Sequence, residues 1–99
     1  MAGNKVTVFA LVKAKPGMAE TVKQELLALV GPTHTEERCI NYDLHQSLDH
    51  KEQFRFYENW TSKELLDRHL LSAHVKQFIA KADQLLVEPP EITLWEMLP

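Results

Sequence analysis

The stretch over residues 58–78 most constrains the fold, because it contains the end of a strand and two helix starts in close succession. Thr61 followed three positions later by Glu64 is a capping-box pattern, which predicts that a short helix begins here. Ser72 is a second N-cap candidate, so this short helix must break before a longer one begins. A broken helix directly after a strand predicts that the chain turns back over one end of a sheet.

The same stretch concentrates side chains with useful chemistry. Trp60 closes the predicted strand, Glu58 lies two positions before it, and His69 and His74 stand on either side of the helix break. We therefore expect an indole, a carboxylate and two imidazoles to meet at one end of the sheet.

The rest of the chain has the patterns of a strand, a helix and two strands before this stretch, and one more strand after it. The predicted elements are a strand over residues 5–15, a helix from Met18 to Val30 ended by Gly31-Pro32, a polar connection over residues 33–37, strands over residues 39–47 and 53–60, the short helix after Thr61, a longer helix from Ser72 to Leu86, and a strand over residues 92–97. The order β-α-β-β-α-β predicts an α+β, ferredoxin-like fold with a four-stranded antiparallel sheet.

Composition narrows the class of protein. The 99 residues are expected to form one domain, residues 1–99. The net charge of −3 and the lack of a basic cluster disfavour nucleic-acid binding. No apolar run approaches the roughly 20 residues of a membrane span, and the first residues do not resemble a signal peptide, so we expect a cytoplasmic protein. Cys39, the single cysteine, excludes an internal disulfide and a cysteine-based metal cage.

The predicted fold leaves one sheet face without helices. The first and last strands carry apolar residues on both faces, and an uncovered apolar face is unfavourable in water. A second copy of the same sheet would cover it, so we expect a homodimer.

Each candidate site residue has a functional and a structural interpretation. Trp60 is either a wall that stacks on a planar substrate or an anchor at the edge of the core. His69 and His74 are candidates for a general base, because imidazole titrates near neutral pH. In the structural interpretation, the two side chains lie at the helix ends and have no role in catalysis. A metal site made from these two histidines is not expected, because no further ligand is visible at a fixed spacing.

Two more residues are candidates for a substrate pocket. Glu58 shares a strand face with aromatic residues, which predicts either a raised pKa or a hydrogen bond to a helix N-terminus. Tyr42, in register with Ile40 and Leu44, is expected to point into the pocket between sheet and helices. Cys39 is expected to be a small hydrophobe, and not a nucleophile.

Several segments together resemble the antibiotic biosynthesis monooxygenase family. They are Asn-Tyr-Asp-Leu-His-Gln-Ser at residues 41–47, Phe-Tyr-Glu-Asn-Trp at residues 56–60 and His-Leu-Leu-Ser-Ala-His at residues 69–74. The resemblance covers nearly the whole chain. It implies a dimeric α+β barrel, in which two sheets pack face to face, with a pocket between sheet and helices in each subunit.

The resemblance also implies a choice of chemistries. Some members are similar to cofactor-free monooxygenases of quinols and polycyclic phenols, others degrade haem, and one group resembles isomerases. The haem-degrading branch uses an Asn on the first strand and a histidine ligand. Here residues 8–10 contain no Asn and Ile79 stands near the expected histidine position; only Trp60 matches, so haem is not expected.

The leading hypothesis is therefore a cofactor-independent monooxygenase that oxidises a small aromatic or quinol-type molecule with dioxygen. We assign His69 and His74 as catalytic residues, and Trp60, Tyr42 and Glu58 as substrate-binding residues. Two alternatives remain open: an isomerase of a small metabolite that uses the same residues as proton carriers, and a dimeric small-molecule-binding module without catalysis.

Overall fold

A computed structural model describes residues 5–36 and 39–99. Its elements are β1 (Val6–Lys13), α1 (Ala19–His34), β2 (Cys39–Gln46), β3 (Gln53–Trp60), α2 (Lys63–Leu70), α3 (Ala73–Leu85) and β4 (Glu91–Trp95). The predicted order of elements, with the second helix split in two, is confirmed. The predictions for the first four residues and for Glu37 lie outside the described residues.

The strands form one antiparallel sheet in the order β2-β3-β1-β4. The two central strands, β1 and β3, are joined to each other although a helix and β2 separate them in the chain. This is the predicted ferredoxin-like arrangement. Within the described ranges, no helix is both long and apolar enough to cross a lipid bilayer.

The helices pack on one face of the sheet, and the core lies between them. Alternate residues of β1 and β3 point into this core, because successive side chains of a strand face opposite sides. The strand residues concerned are Val8, Ala10, Val12, Phe54, Phe56 and Trp60, and the helices add Val22, Leu26, Leu66, Phe78 and Leu85. The apolar stripes of the sequence thus become the buried face of each element.

The opposite sheet face carries aromatic side chains from three strands. The ring of Phe9 lies 5.5 Å from that of Tyr57 and 6.4 Å from that of Trp95, measured between centroids. Tyr57 is 39% exposed and Trp95 is 57% exposed. No helix of the described residues covers this face, which is the face for which the sequence predicts a second copy.

The end of α1 differs from the prediction. The helix does not stop at Gly31-Pro32 but continues to His34, with Pro32 inside its last turn. The extra turn contains Thr33, which is completely buried, and it is stabilised by Thr35, which donates to the Pro32 carbonyl from its backbone N–H at 3.2 Å and from its hydroxyl at 2.6 Å. Gly31 therefore lies within the helix and does not terminate it.

The helix starts also differ in detail. Ser62, and not Thr61, is the N-cap of α2, and its hydroxyl accepts the Leu65 N–H at 3.3 Å. Glu64 therefore does not reach back as in a capping box; it lies 3.7 Å from Arg68 on the helix surface. Ser72 stands at the N-cap of α3 as predicted, but its hydroxyl donates to the His69 carbonyl at 2.6 Å and caps no N–H of the helix.

Two strands depart from the predicted pattern. An irregularity between Cys39 and Asn41 breaks the pairing of β2 with β3, so Ile40 is 53% exposed and does not share the buried face with Tyr42. β4 ends at Trp95, two residues earlier than predicted.

Candidate functional site

Three polar side chains from three separate segments meet above the end of β3. Glu36 follows the C-cap of α1, His69 lies in the last turn of α2, and His74 lies in the first turn of α3. One carboxylate oxygen, Oε2 of Glu36, is 2.7 Å from Nδ1 of His69 and 2.8 Å from Nε2 of His74. Both histidines therefore contact the same oxygen atom.

These contacts fix the tautomer of His69. A carboxylate only accepts hydrogen bonds, so Nδ1 of His69 carries the proton that it donates to Glu36. His69 is only 2% exposed, and burial lowers its pKa, although the charge and hydrogen bond of Glu36 act in the opposite direction. A neutral His69 therefore has an unprotonated Nε2, which is able to accept a proton.

Aromatic rings hold the imidazole of His69 in place. The ring of Trp60 lies 4.7 Å from it with a tilt of 35°, and the ring of Tyr42 lies 5.3 Å away, edge-on. Tyr42 in turn stacks on Phe56 at 4.5 Å. A buried ring packed on two sides cannot rotate freely, so the direction of Nε2 is fixed.

Glu58 is a second buried ionisable group of the site. It is 4% exposed, and its Oε1 accepts the indole N–H of Trp60 at 2.9 Å. Burial raises its pKa from 4.5 to about 7; the Trp60 hydrogen bond opposes this change and the charge of Glu36 adds to it. Near neutral pH this carboxyl is therefore able to donate or accept a proton.

Two other groups are held in their neutral forms. Burial raises the pKa of Tyr42 well above its usual range, so this side chain remains a phenol. The pKa of Cys39 is raised to about 11 by burial and by neighbouring carboxylates, first Glu58 and then Glu36. A thiol with this pKa is a weak nucleophile at neutral pH.

A small cavity lies between the sheet and the helices. Its volume is about 50 Å³, and its walls are mostly apolar. The ionisable residues that line it are Tyr42, Glu58 and His69. Trp60 and His74 are not among its lining residues; Trp60 contacts Glu58, and His74 contacts Glu36.

A larger groove adjoins this cavity on the outside. The groove has a volume of about 640 Å³ and runs between α3 and the segment that leads to β4. Ile79, Pro90 and Ile92 line both the groove and the cavity. Ile79 and Ile92 are about half exposed, so these side chains stand at the boundary between solvent and the buried groups.

The predicted convergence of Glu58, Trp60, His69 and His74 is confirmed as geometry, while their catalytic and binding roles stay predictions. Glu36 was not among the predicted site residues, since it belonged to a polar connection beyond the supposed helix end. Together with the two histidines it offers three ligand atoms within 4.8 Å of one another. No pattern in the sequence indicated this third group.

The sequence matches one protein family and is similar to bacterial proteins. The family described as antibiotic biosynthesis monooxygenase matches residues 5–81. A Mycobacterium tuberculosis protein named "Putative monooxygenase Rv0793" is 33% identical over 89 residues, which are 90% of this chain and 87% of that protein. The Synechocystis protein sll1783 is 28% identical over 97% of this chain, but the chain spans only 65% of its length.

A solved structure has nearly the same fold. The crystal structure of PA3566 from Pseudomonas aeruginosa superposes with a TM-score of 0.93 at 32% identity, covering 100% of this chain and 99% of that one. The match includes every helix and strand described above, so the site is built on the shared fold and not on an added segment.

Proposed function

The chain belongs to the antibiotic biosynthesis monooxygenase family, and on that premise we propose that it oxidises a small aromatic, quinol-type substrate with dioxygen. Family membership and the relative named "Putative monooxygenase Rv0793" support an oxygenase-like activity. The observation that carries the finer proposal is that His69 lines an apolar cavity together with Glu58, while Glu36 contacts its Nδ1 and leaves Nε2 of the neutral ring unprotonated.

The reaction balances without an external reductant. A quinol and dioxygen give a hydroxyquinone and water, so the substrate supplies all the electrons that reduce the second oxygen atom. The first step is loss of a phenolic proton, because the phenolate is a much better electron donor to dioxygen than the phenol. A C–O bond to dioxygen then forms and gives a ring hydroperoxide, whose O–O bond breaks as water leaves and the remaining oxygen becomes a ring carbonyl that enolises to the hydroxyquinone. The protein has to accept one proton, return one proton and keep bulk water away from the reacting atoms.

The side chains of the site match these tasks. His69 accepts the phenolic proton at Nε2, and Glu36 stabilises the imidazolium that forms, since its carboxylate is 2.7 Å from Nδ1. Glu58, with a pKa of about 7, is protonated often enough at neutral pH to donate a proton to the departing oxygen. Tyr42 and Phe56 present stacked rings to a planar substrate. His74 keeps Glu36 in position through its own hydrogen bond.

The groove supplies the space that the cavity lacks. Small-molecule sites occupy roughly 300–1,000 Å³, whereas the cavity measures about 50 Å³ and the groove about 640 Å³. We infer that most of the substrate lies in the groove and that its reacting ring enters the cavity when Ile79 and Ile92 move apart.

Oxygen uptake with reduced menadione and related quinols tests this proposal. We expect faster uptake than in buffer and the appearance of a hydroxyquinone. His69→Gln removes the base and should lower kcat/KM by about 10²–10⁴-fold, the usual contribution of general base catalysis. His50→Gln is the matched control, because His50 is exposed in the β2–β3 turn. Uptake equal to buffer for every quinol, or equal rates in His69→Gln and wild type, would refute the proposal.

The same geometry also fits an isomerase. A base, His69, and a carboxyl group, Glu58, line one cavity, and such a pair is able to move a proton between the carbon and the oxygen of a keto–enol pair. This reaction consumes no oxygen. Turnover of a substrate under strictly anaerobic conditions would favour the isomerase over the oxygenase.

A further inference from the structure

We propose that Glu36, His69 and His74 form a binding site for one divalent transition-metal ion of the zinc type. The proposal concerns Nδ1 of His69, whereas the proposed oxygenase reaction uses Nε2, and it goes beyond that reaction, on which it does not depend. The three ligand atoms are Oε2 of Glu36, Nδ1 of His69 and Nε2 of His74.

The donor set determines the class of ion. Two imidazole nitrogens and one carboxylate oxygen suit Zn²⁺, Co²⁺, Fe²⁺ and Cu²⁺, whereas Mg²⁺ and Ca²⁺ prefer sites made only of oxygen atoms. Three protein ligands leave a fourth position open for water or another small molecule. The carboxylate also offsets part of the charge of the ion.

The distances require only small movements. Metal–ligand bonds of about 2.0–2.2 Å put tetrahedral ligand atoms roughly 3.4 Å apart. The present separations from Glu36 Oε2 are 2.7 Å and 2.8 Å, and all three atoms lie within 4.8 Å. The two distances from Glu36 Oε2 therefore increase by about 0.6–0.7 Å, and the distance between the two imidazole nitrogens is already within about 1.4 Å of its final value.

The segments that carry the ligands permit this adjustment. Glu36 lies beyond the end of α1 and not within it, so its carboxylate is able to move without bending a helix. His74 is partly exposed, with 21% of its side chain accessible, which gives an ion access from solvent. His69 is fixed by its aromatic neighbours and provides the rigid ligand.

Metal binding would change the tautomer of His69. When Nδ1 binds an ion, the proton of the neutral ring moves to Nε2. Nε2 then donates a hydrogen bond and no longer accepts a proton. A bound ion would therefore switch off a reaction that uses Nε2 as a base, so we expect zinc to inhibit oxygen uptake if the proposed oxygenase reaction occurs.

Calorimetric titration of tag-free, chelator-treated protein with ZnCl₂ tests the site without any substrate. We expect one Zn²⁺ per chain and no comparable heat with Mg²⁺. Glu36→Gln and His74→Gln should each weaken binding by at least about tenfold, which corresponds to 1.4 kcal/mol. His50→Gln, which changes an exposed histidine, should bind as the wild type does.

Three results would overturn the proposal: no zinc binding beyond that of Mg²⁺, equal binding in Glu36→Gln and wild type, or equal loss in His50→Gln. Circular dichroism shows whether each variant is folded. If a variant is not, electron paramagnetic resonance of the Cu²⁺-loaded wild type decides the question, because two coordinated imidazole nitrogens are expected and fewer would contradict the site. Zinc binding without any quinol oxidation would refute the oxygenase and leave the metal site standing.

Discussion

Replacing Glu58 by glutamine should make the protein more stable above pH 7. The carboxyl group is 4% exposed, and its pKa rises from 4.5 in the unfolded chain to about 7 in the folded protein. Because the folded state binds this proton more tightly, the free energy of unfolding falls as the pH rises from about 4.5 to about 7. At about 1.4 kcal/mol per pKa unit, the destabilisation above pH 7 amounts to about 3 kcal/mol.

Glutamine removes this effect and keeps the local contact. Its side-chain oxygen still accepts the indole N–H of Trp60, which lies 2.9 Å from the carboxylate oxygen. Glu58→Gln should therefore equal the wild type at pH 4 and exceed it by up to about 3 kcal/mol at pH 8. With a urea m-value of about 1–3 kcal/mol/M, the unfolding midpoint at pH 8 should move up by about 1 M or more.

Urea unfolding followed by circular dichroism at several pH values, at one protein concentration, measures this difference. Glu52→Gln is the matched control, since Glu52 is an exposed carboxylate in the β2–β3 turn, and it should change the stability little at any pH. A Glu58→Gln variant that is no more stable than wild type at pH 8 would show that the ionised carboxylate is well solvated. The argument from burial would then be wrong. The variant should also lose oxygenase activity, because Glu58 is the proposed proton donor and the group that destabilises the protein is then the group that the reaction needs.

Three further predictions concern the aromatic support, the access route and the uncovered sheet face. Trp60→Phe removes the hydrogen-bond donor to Glu58, so the free energy of unfolding should fall by about 1–3 kcal/mol. The pKa of Glu58, measured by NMR titration, should rise above its value of about 7, and an unchanged pKa would contradict the hydrogen bond. Ile79→Trp should block the passage between groove and cavity and lower kcat/KM for quinols at least about tenfold. The melting temperature should stay close to that of wild type, because Ile79 is 48% exposed. Undiminished activity would argue against this access route. The protein should sediment as a homodimer. Tyr57→Glu should yield a folded monomer, because the new carboxylate places a charge on the apolar sheet face. A wild-type protein that sediments as a monomer at micromolar concentration would refute the dimer.

The fold could be predicted because its signals are local. Alternation in strands and one-turn spacing in helices depend on neighbours a few positions away, and they reproduced the element order and the sheet. The predictions of the helix caps were less accurate. Thr61 and Ser62 are both good N-cap residues, and only the structure shows that Ser62, with an extended backbone, accepts the Leu65 N–H.

The sequence by itself determined that Glu58, Trp60, His69 and His74 lie near one another, because they are at most 16 positions apart and belong to consecutive elements. Only the tertiary structure brought Glu36 to them, from 33 and 38 positions away. Its place depends on an extra helical turn through Pro32, which the Thr35 hydrogen bonds stabilise against the local preference of proline to end a helix. The pKa of Glu58 was likewise decided by the fold, because desolvation depends on the atoms packed around a group and not on its neighbours along the chain.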